Sequence, residues 1–319
     1  MDRKKNKLKM LIAIIIIAFL CIAVGKDILV KSATTVVASS IAGAPVNIGW
    51  MSLGIFRQGV RIDNFKMYNP DNFPKGIMID IPKVIVRCNP LTFLSGKIHL
   101  TEVDFVLKEI ILVKNKEGKM NVDELSVVKQ QRQASQKKSK EMSLQIDLCK
   151  LNMGRLIMKD YSLGPEPVIK VYEINLVKEY KNITNAQQLT ALILSEPMKA
   201  AGIQGAKIYG VSALAGVAFL PVAVGATFLG KDNAEANFEI AYDKVYEASL
   251  LVLKRNSRIT REDKASGVIQ GDSDLLGALT VKLLQEKKGI WVTVTARKFM
   301  LPKPEIAGGI LYEISEALR

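Results

Sequence analysis

The chain has 319 residues, 49% of them hydrophobic but only 6% aromatic, and carries a formal net charge of +14. Its length suffices for two modest domains, and one histidine with three scattered cysteines excludes zinc-ligand spacing. The charge is concentrated: residues 1–9 and 126–142 each hold five basic residues and one acidic residue. The remaining surface is ordinary, and no basic stripe interleaved with aromatics points to nucleic acid.

Behind the basic tail of residues 1–9, Met10–Gly25 runs for sixteen residues without a charge. At ~1.5 Å per residue this is about 24 Å of helix, slightly short of a bilayer core of ~30 Å. Lys9 and Lys26 can snorkel to make up the difference. The segment reads either as an uncleaved transmembrane anchor or as a secretory signal ending near Ala23-Val24-Gly25. Leu20 in front of Cys21 excludes a lipoprotein signal. The basic flank stays cytoplasmic, so both readings export the body of the chain.

Asp27–Ala42 extends as a helix until the glycines and Pro45 end it. From Pro45 the hydrophobic period becomes two. Val46, Ile48 and Trp50 alternate with polar or small residues, as do Val60 and Ile62. Ile77, Ile79 and Ile81 mark one strand and Val84–Cys88 the next. Ile98, Leu100, Phe105 and Leu107 mark a long strand or a pair, followed by Ile110–Val113. Asn115–Lys119 is a turn with Gly118 placed for a positive φ. After the Lys/Gln/Ser-rich insert of residues 126–142, read as a solvated linker, the alternation resumes at Leu144–Leu148, Arg155–Tyr161 and Val168–Leu176. Thr184 or Asn185, with Gln187 or Gln188 three residues on, caps a helix that has Ala186, Leu189 and Ile193 on its apolar face and ends at Pro197. The expected unit, residues 32–197, is a twisted antiparallel sheet. Its ten or so short strands would stack to about 45–50 Å.

Several pieces recur in a familiar order: Gly43-Ala44-Pro45-Val46, Gly59–Ile62, Asn69-Pro70 with Phe73, Leu94–Ile98, Asn115–Asn121 with Leu125, Asn152–Leu156 and Lys159–Tyr161. Together with the N-terminal span they resemble the membrane-proximal part of AsmA-like proteins of the bacterial envelope, over about half the chain. The resemblance implies an inner-membrane anchor and a β-rich body in the periplasm. It also implies membrane lipid as a partner, or a role in outer-membrane assembly. The chain is shorter than the long members of that group, which argues against one copy bridging two membranes.

Ile208–Leu229, within a segment of residues 199–230, is a second stretch of 22 uncharged residues, rich in Gly and Ala with Pro221 near its middle. An apolar helical segment is expected there. It is a second span, a membrane-associated hairpin or a buried helix pair. Residues 235–319 read as a separate α+β module of order αβββα: a helix over Tyr242–Lys254, strands at Val268–Gln270, Leu279–Leu283 and Ile290–Ala296, and a final helix opened by Pro304. Asp243–Ala248, Arg261–Asp263 and Val294–Lys298 resemble a small exported bacterial domain of unknown function, which favours an exported module.

No catalytic signature emerges. His99 reads as a satisfied edge histidine, no Gly-x-Ser-x-Gly elbow is present, and the glycines near Gly205–Gly210 do not form a phosphate turn. Cys88 and Cys149 read as small hydrophobes, with a disulfide between them the alternative. The chain is therefore expected to be a non-enzymatic envelope protein, without cofactor or metal, at the bacterial inner membrane in one or two passes. Ile98, Leu100, Phe105 and Leu107 are its candidate lipid contacts. The alternative is a tether whose C-terminal module binds an envelope protein partner.

Overall fold

The computed structural model describes residues 42–54, 59–88, 98–126, 144–203 and 232–319, with residues 31, 32, 35, 36, 38, 39, 128, 129 and 218–220. Among the described residues, alternating Val, Ile and Leu build seven strands in one sheet: β1 (Val46–Gly54), β2 (Gly59–Tyr68), β3 (Ile77–Cys88), β4 (Ile98–Lys114), β5 (Leu144–Asp160), β6 (Val168–Ile183) and β7 (Ala218–Leu220). Their spatial order is their chain order. The helical residues 31, 32, 35, 36, 38 and 39 lie back along β1: Lys31 Nζ donates to the Gly49 carbonyl (2.8 Å), and the Val46 N–H donates to Ser39 Oγ (3.0 Å).

Three expectations change. First, the strands are fewer and longer, because interruptions read as strand ends lie inside strands. Pro82 sits within β3 and Gly154 within β5. Second, the sheet is not wholly antiparallel, for β4 and β5 pair in parallel from Ile98↔Leu144 to Lys114↔Asp160. A parallel pair needs a return crossover. Residues 115–143, which include the polar insert, connect the end of β4 to the start of β5, two neighbouring strands of one sheet. Third, Ala218–Leu220 is not helical. These residues pair antiparallel with Glu179–Lys181 of β6, whose free edge offers unpaired backbone groups. The rest of Ile208–Leu229, like Met10–Gly25, lies outside the described residues. Among the described residues no helix is long and apolar enough to cross a membrane.

One face of the sheet packs on α1 (Ala186–Ala200) and on a short 3-10 turn at Asn121–Glu124. The cap is Asn185, whose side chain accepts from the Gln188 N–H (2.8 Å), while Gln188 Oε1 accepts from the Thr184 N–H (2.7 Å). The buried stripe of α1 is Ala191, Leu192, Leu194 and Met198; Leu189 and Ile193 are half-buried, and Pro197 lies inside the helix. Glu196 is buried at the helix–sheet boundary, where Lys178 (2.6 Å) and Lys199 (2.9 Å) hold it. Burial raises its pKa, but hydrogen bonds from the two lysines outweigh that and leave it lowered.

The C-terminal part departs from αβββα. It is a six-stranded sheet of β8 (Asn233–Phe238), β9 (Arg258–Asp263), β10 (Val268–Ser273), β11 (Gly277–Glu286), β12 (Gly289–Lys298) and β13 (Leu301–Pro302), with α2 (Tyr242–Asn256) and α3 (Pro304–Ala317). The polar strand β9 is largely exposed at the sheet edge, so its sequence carries no apolar alternation. In β8 the alternation rests on the small Ala234 and Ala236. Helix α3 is shared between the two sheets. Ile306, Ala307, Ile310, Leu311 and Ile314 enter the C-terminal core, while Tyr312 packs with Ile111, Val113, Ile157 and Val171 on the second face of the long sheet.

Candidate functional site

The expected lipid row divides in two. Phe105 (9% exposed) and Leu107 (1% exposed) are inside the main core with Leu151, Met153, Leu192 and Leu194. Ile98 and Leu100 are half-buried at the start of β4. Leu100, Val86 of β3 and Leu144 of β5 are half-buried side chains at this end that pack against the same core. An aliphatic face thus runs along the sheet from a closed interior to a partly open end. Lys31, bonded to the Gly49 carbonyl, lies nearer that end than Ser39, which is bonded to the Val46 N–H.

A cavity of 730 Å³ lies between β6, β8 and α3. Its walls carry Arg155, Tyr172, Glu173, Tyr312 and Glu316. Arg155 Nε and Nη2 both bond Glu109 Oε2 (2.8 and 2.6 Å), and its guanidinium lies 5.8 Å from the Tyr312 ring centroid. Lys159 Nζ lies 5.0 Å from the same centroid. Burial raises the Glu173 carboxyl, Arg155 pulls it back, and neighbouring Glu109 adds to the rise. Burial first, then Glu316, pushes the Tyr312 phenol up to about 12. Burial lowers the Lys159 ammonium against the pull of Glu316, Glu109 and Glu313. Charges of both signs face one another here, so the arrangement ties the two sheets together.

The remaining titratable groups noted in the sequence lie apart. His99 Nε2 meets Asp147 Oδ2 at 2.8 Å across β4 and β5. Asp243 pairs with Lys264 (2.9 Å) at the surface. Cys88 and Cys149 are free thiols. Burial, with Asp104 adding to it, pushes the Cys149 thiol up to about 12. Among the described residues, no three His, Cys, Asp or Glu side chains are grouped to hold a metal.

Sequence reasoning missed the inter-sheet cavity because its walls come from β5, β6, β8 and α3, with no local motif; Gly308-Gly309 in α3 is the one legible sign of close packing. It also missed the apolar hairpin Phe299–Leu301, whose signal is a turn without glycine. Compared with known proteins, the chain matches no family model and no curated sequence.

Proposed function

We propose that this is a membrane-anchored envelope protein that binds lipid on the aliphatic face of its long sheet, without enzymatic activity. One observation carries the reading: the apolar cluster of that face extends from its buried core to the half-buried Val86, Leu100 and Leu144 at one end of the sheet, and Lys31 lies nearer that end than Ser39 does. An acyl chain entering there meets Ile98 and Leu100 before the closed interior at Phe105 and Leu107. Apolar burial is the driving force, at ~25 cal/mol per Å² removed from water. The AsmA-like order of motifs points to the same inner-membrane, periplasm-facing role.

Photo-crosslinkers placed at Ile98 and Leu100 of the full chain in its native membrane test the proposal. Phospholipid adducts are expected at both; adducts only to water or protein refute it. A tether that binds a protein partner is the second reading. It is favoured by Leu284 (60% exposed) and Trp291 (40% exposed), paired across β11 and β12 on the outer face of the C-terminal sheet. Under that reading Leu284→Glu releases a stoichiometric envelope partner and leaves lipid content unchanged.

A further inference from the structure

We propose that the hairpin between β12 and β13 is a separate lipid-surface contact, whose tip Phe299-Met300-Leu301 inserts into the interfacial layer of a bilayer with anionic headgroups. The hairpin closes with two residues between the paired Lys298 and Leu301. Both have positive φ, 52° at Phe299 and 64° at Met300. That backbone suits Asn-Gly, and bulky residues adopt it at a cost. Among the described residues little covers these side chains: Phe299 is 87% exposed, Met300 90% and Leu301 62%. A sequence choice that breaks a local rule and leaves its side chains in water points to a partner outside the chain.

The chemistry around the tip selects the partner. Residues 297–303 carry Arg297, Lys298 and Lys303 and no acid. Lys298 is held beside the tip, its Nζ donating to the Leu275 carbonyl (2.8 Å) and lying 5.9 Å from the Phe299 ring centroid. A 260 Å³ cavity at the root of the hairpin is rimmed by two more exposed leucines, Leu163 (64%) and Leu275 (45%), with Lys170 on the same rim as Asp160 and Glu305. Asp272 and Asp274 border the hairpin on the neighbouring turn, and Asp160 and Glu305 lie at its root, so the positive charge is carried by Arg297, Lys298 and Lys303 of the hairpin itself. Specific protein interfaces bury on the order of 1,000 Å² or more on complementary surfaces. Three side chains protruding from a narrow turn fit that poorly. They fit an interfacial layer, where apolar groups enter the acyl boundary and flanking cations stay level with the headgroups.

The hairpin root faces Met158, Asp160 and Val168, at the opposite end of β5 and β6 from Ile98 and Leu144. This contact is therefore separate from the aliphatic face and does not rest on lipid binding there.

The full chain in phosphatidylcholine nanodiscs, mixed with separate vesicles, tests the proposal by co-flotation. The parent should float with vesicles containing phosphatidylglycerol and less well with pure phosphatidylcholine. F299N/M300G places Asn-Gly where the backbone favours it, so the melting temperature should hold or rise while vesicle binding falls by about tenfold or more. K298Q/K303Q should erase the preference for phosphatidylglycerol. Equal co-flotation of parent and F299N/M300G overturns the proposal, as does failure of the parent to float with either vesicle. If the variant instead loses self-association or a bound protein, the occupant is a protein and the proposal fails. Crosslinking of lipid at Leu100 is read in parallel: its loss with co-flotation intact removes the sheet reading alone, and the converse removes the hairpin alone.

Discussion

Two adjacent glycines in α3 give opposite predictions for the same substitution. The helix lies on β6 through Gly308 and Gly309. A Cβ on Gly308 would sit 3.1 Å from Val171 Cβ, a contact that a side chain can relieve by shifting a few tenths of an ångström. A Cβ on Gly309 would sit 2.7 Å from the Ile169 carbonyl carbon, with the carbonyl oxygen closer still, so it meets backbone that cannot swing away. Alanine in a helix interior is favoured over glycine by ~1 kcal/mol. G308A should therefore be neutral or slightly stabilising. G309A gains the same propensity but forces helix and strand apart by about 1 Å, an overpacking cost of ~1–3 kcal/mol together with weakened dispersion contact at Tyr312 and Val171. A net loss of about 1–2 kcal/mol would lower the melting temperature by about 2–3 °C. Hydrogen exchange at Ile169–Val171 should quicken in G309A and stay protected in G308A. Equal melting temperatures for the two variants would refute the close approach of α3 to β6.

Three further outcomes follow from the ionisable groups. Glu313 is raised above its ordinary 4.5, chiefly by burial, with Asn256 and Arg255 opposing the rise. Between 4.5 and the raised value the folded state binds more protons than the unfolded chain, so this group's contribution to stability falls as pH rises. E313Q should accordingly stabilise the protein at neutral pH, with the gain vanishing as pH drops towards 4.5 in melts across pH. R155M leaves the buried Glu109 carboxylate without its cation and should cost about 2–3 kcal/mol in denaturant unfolding, whereas R155M/E109M should recover most of that loss. Maleimide should label Cys88 well before Cys149, whose thiolate is scarce with a pKa of about 12, and reduction should leave both the mass and the order of labelling unchanged.

Alternation found the location of nearly every strand in the long sheet and misjudged their ends, for one physical reason. Core positions on β4 run Val103, Phe105 and Leu107, then resume at Ile110 and Leu112. On β5 they run Cys149, Leu151 and Met153, then resume at Leu156. On β3 they pass from Ile81 to Val84 across Pro82. This change of parity falls on one transverse line of the sheet, and a second lies nearer the start of β5, between Ile146 and Cys149 and between Tyr180 and Ile183. On the first line a Cβ on Gly154 would come within 2.7 Å of the Lys108 carbonyl oxygen, and the β5–β6 register shifts beside Asn175, at φ 44°. Period-two reading treats a parity change as a strand end, whereas a twisted sheet absorbs it as an irregularity within continuing strands. The parallel β4–β5 pair was hidden differently, since pairing direction depends on where residues 115–143 return the chain and no side chain in either strand records it.

That difference turns the molecule's long axis. Ten short strands would have extended it by stacking. Seven strands at ~4.8 Å instead give a width of about 30 Å, and strands of 17 residues at ~3.3 Å per residue give a length of about 55 Å. Reach is therefore set along β4 and β5, whose two ends differ in chemistry. Ile98 and Leu144 lie at the half-open aliphatic end, while Asp160 and the turn after it lie beside the Phe299 hairpin. Helix α3, seated on β6 through Gly309, fixes the hairpin to that second end. The two proposed lipid contacts are thus held about one strand length apart. G309A couples them to a measurable quantity: by loosening α3 it should weaken vesicle co-flotation through the hairpin while leaving lipid crosslinking at Leu100 untouched. Equal loss at both sites would mean that the substitution unfolds the sheet as a whole and that α3 does not position the hairpin.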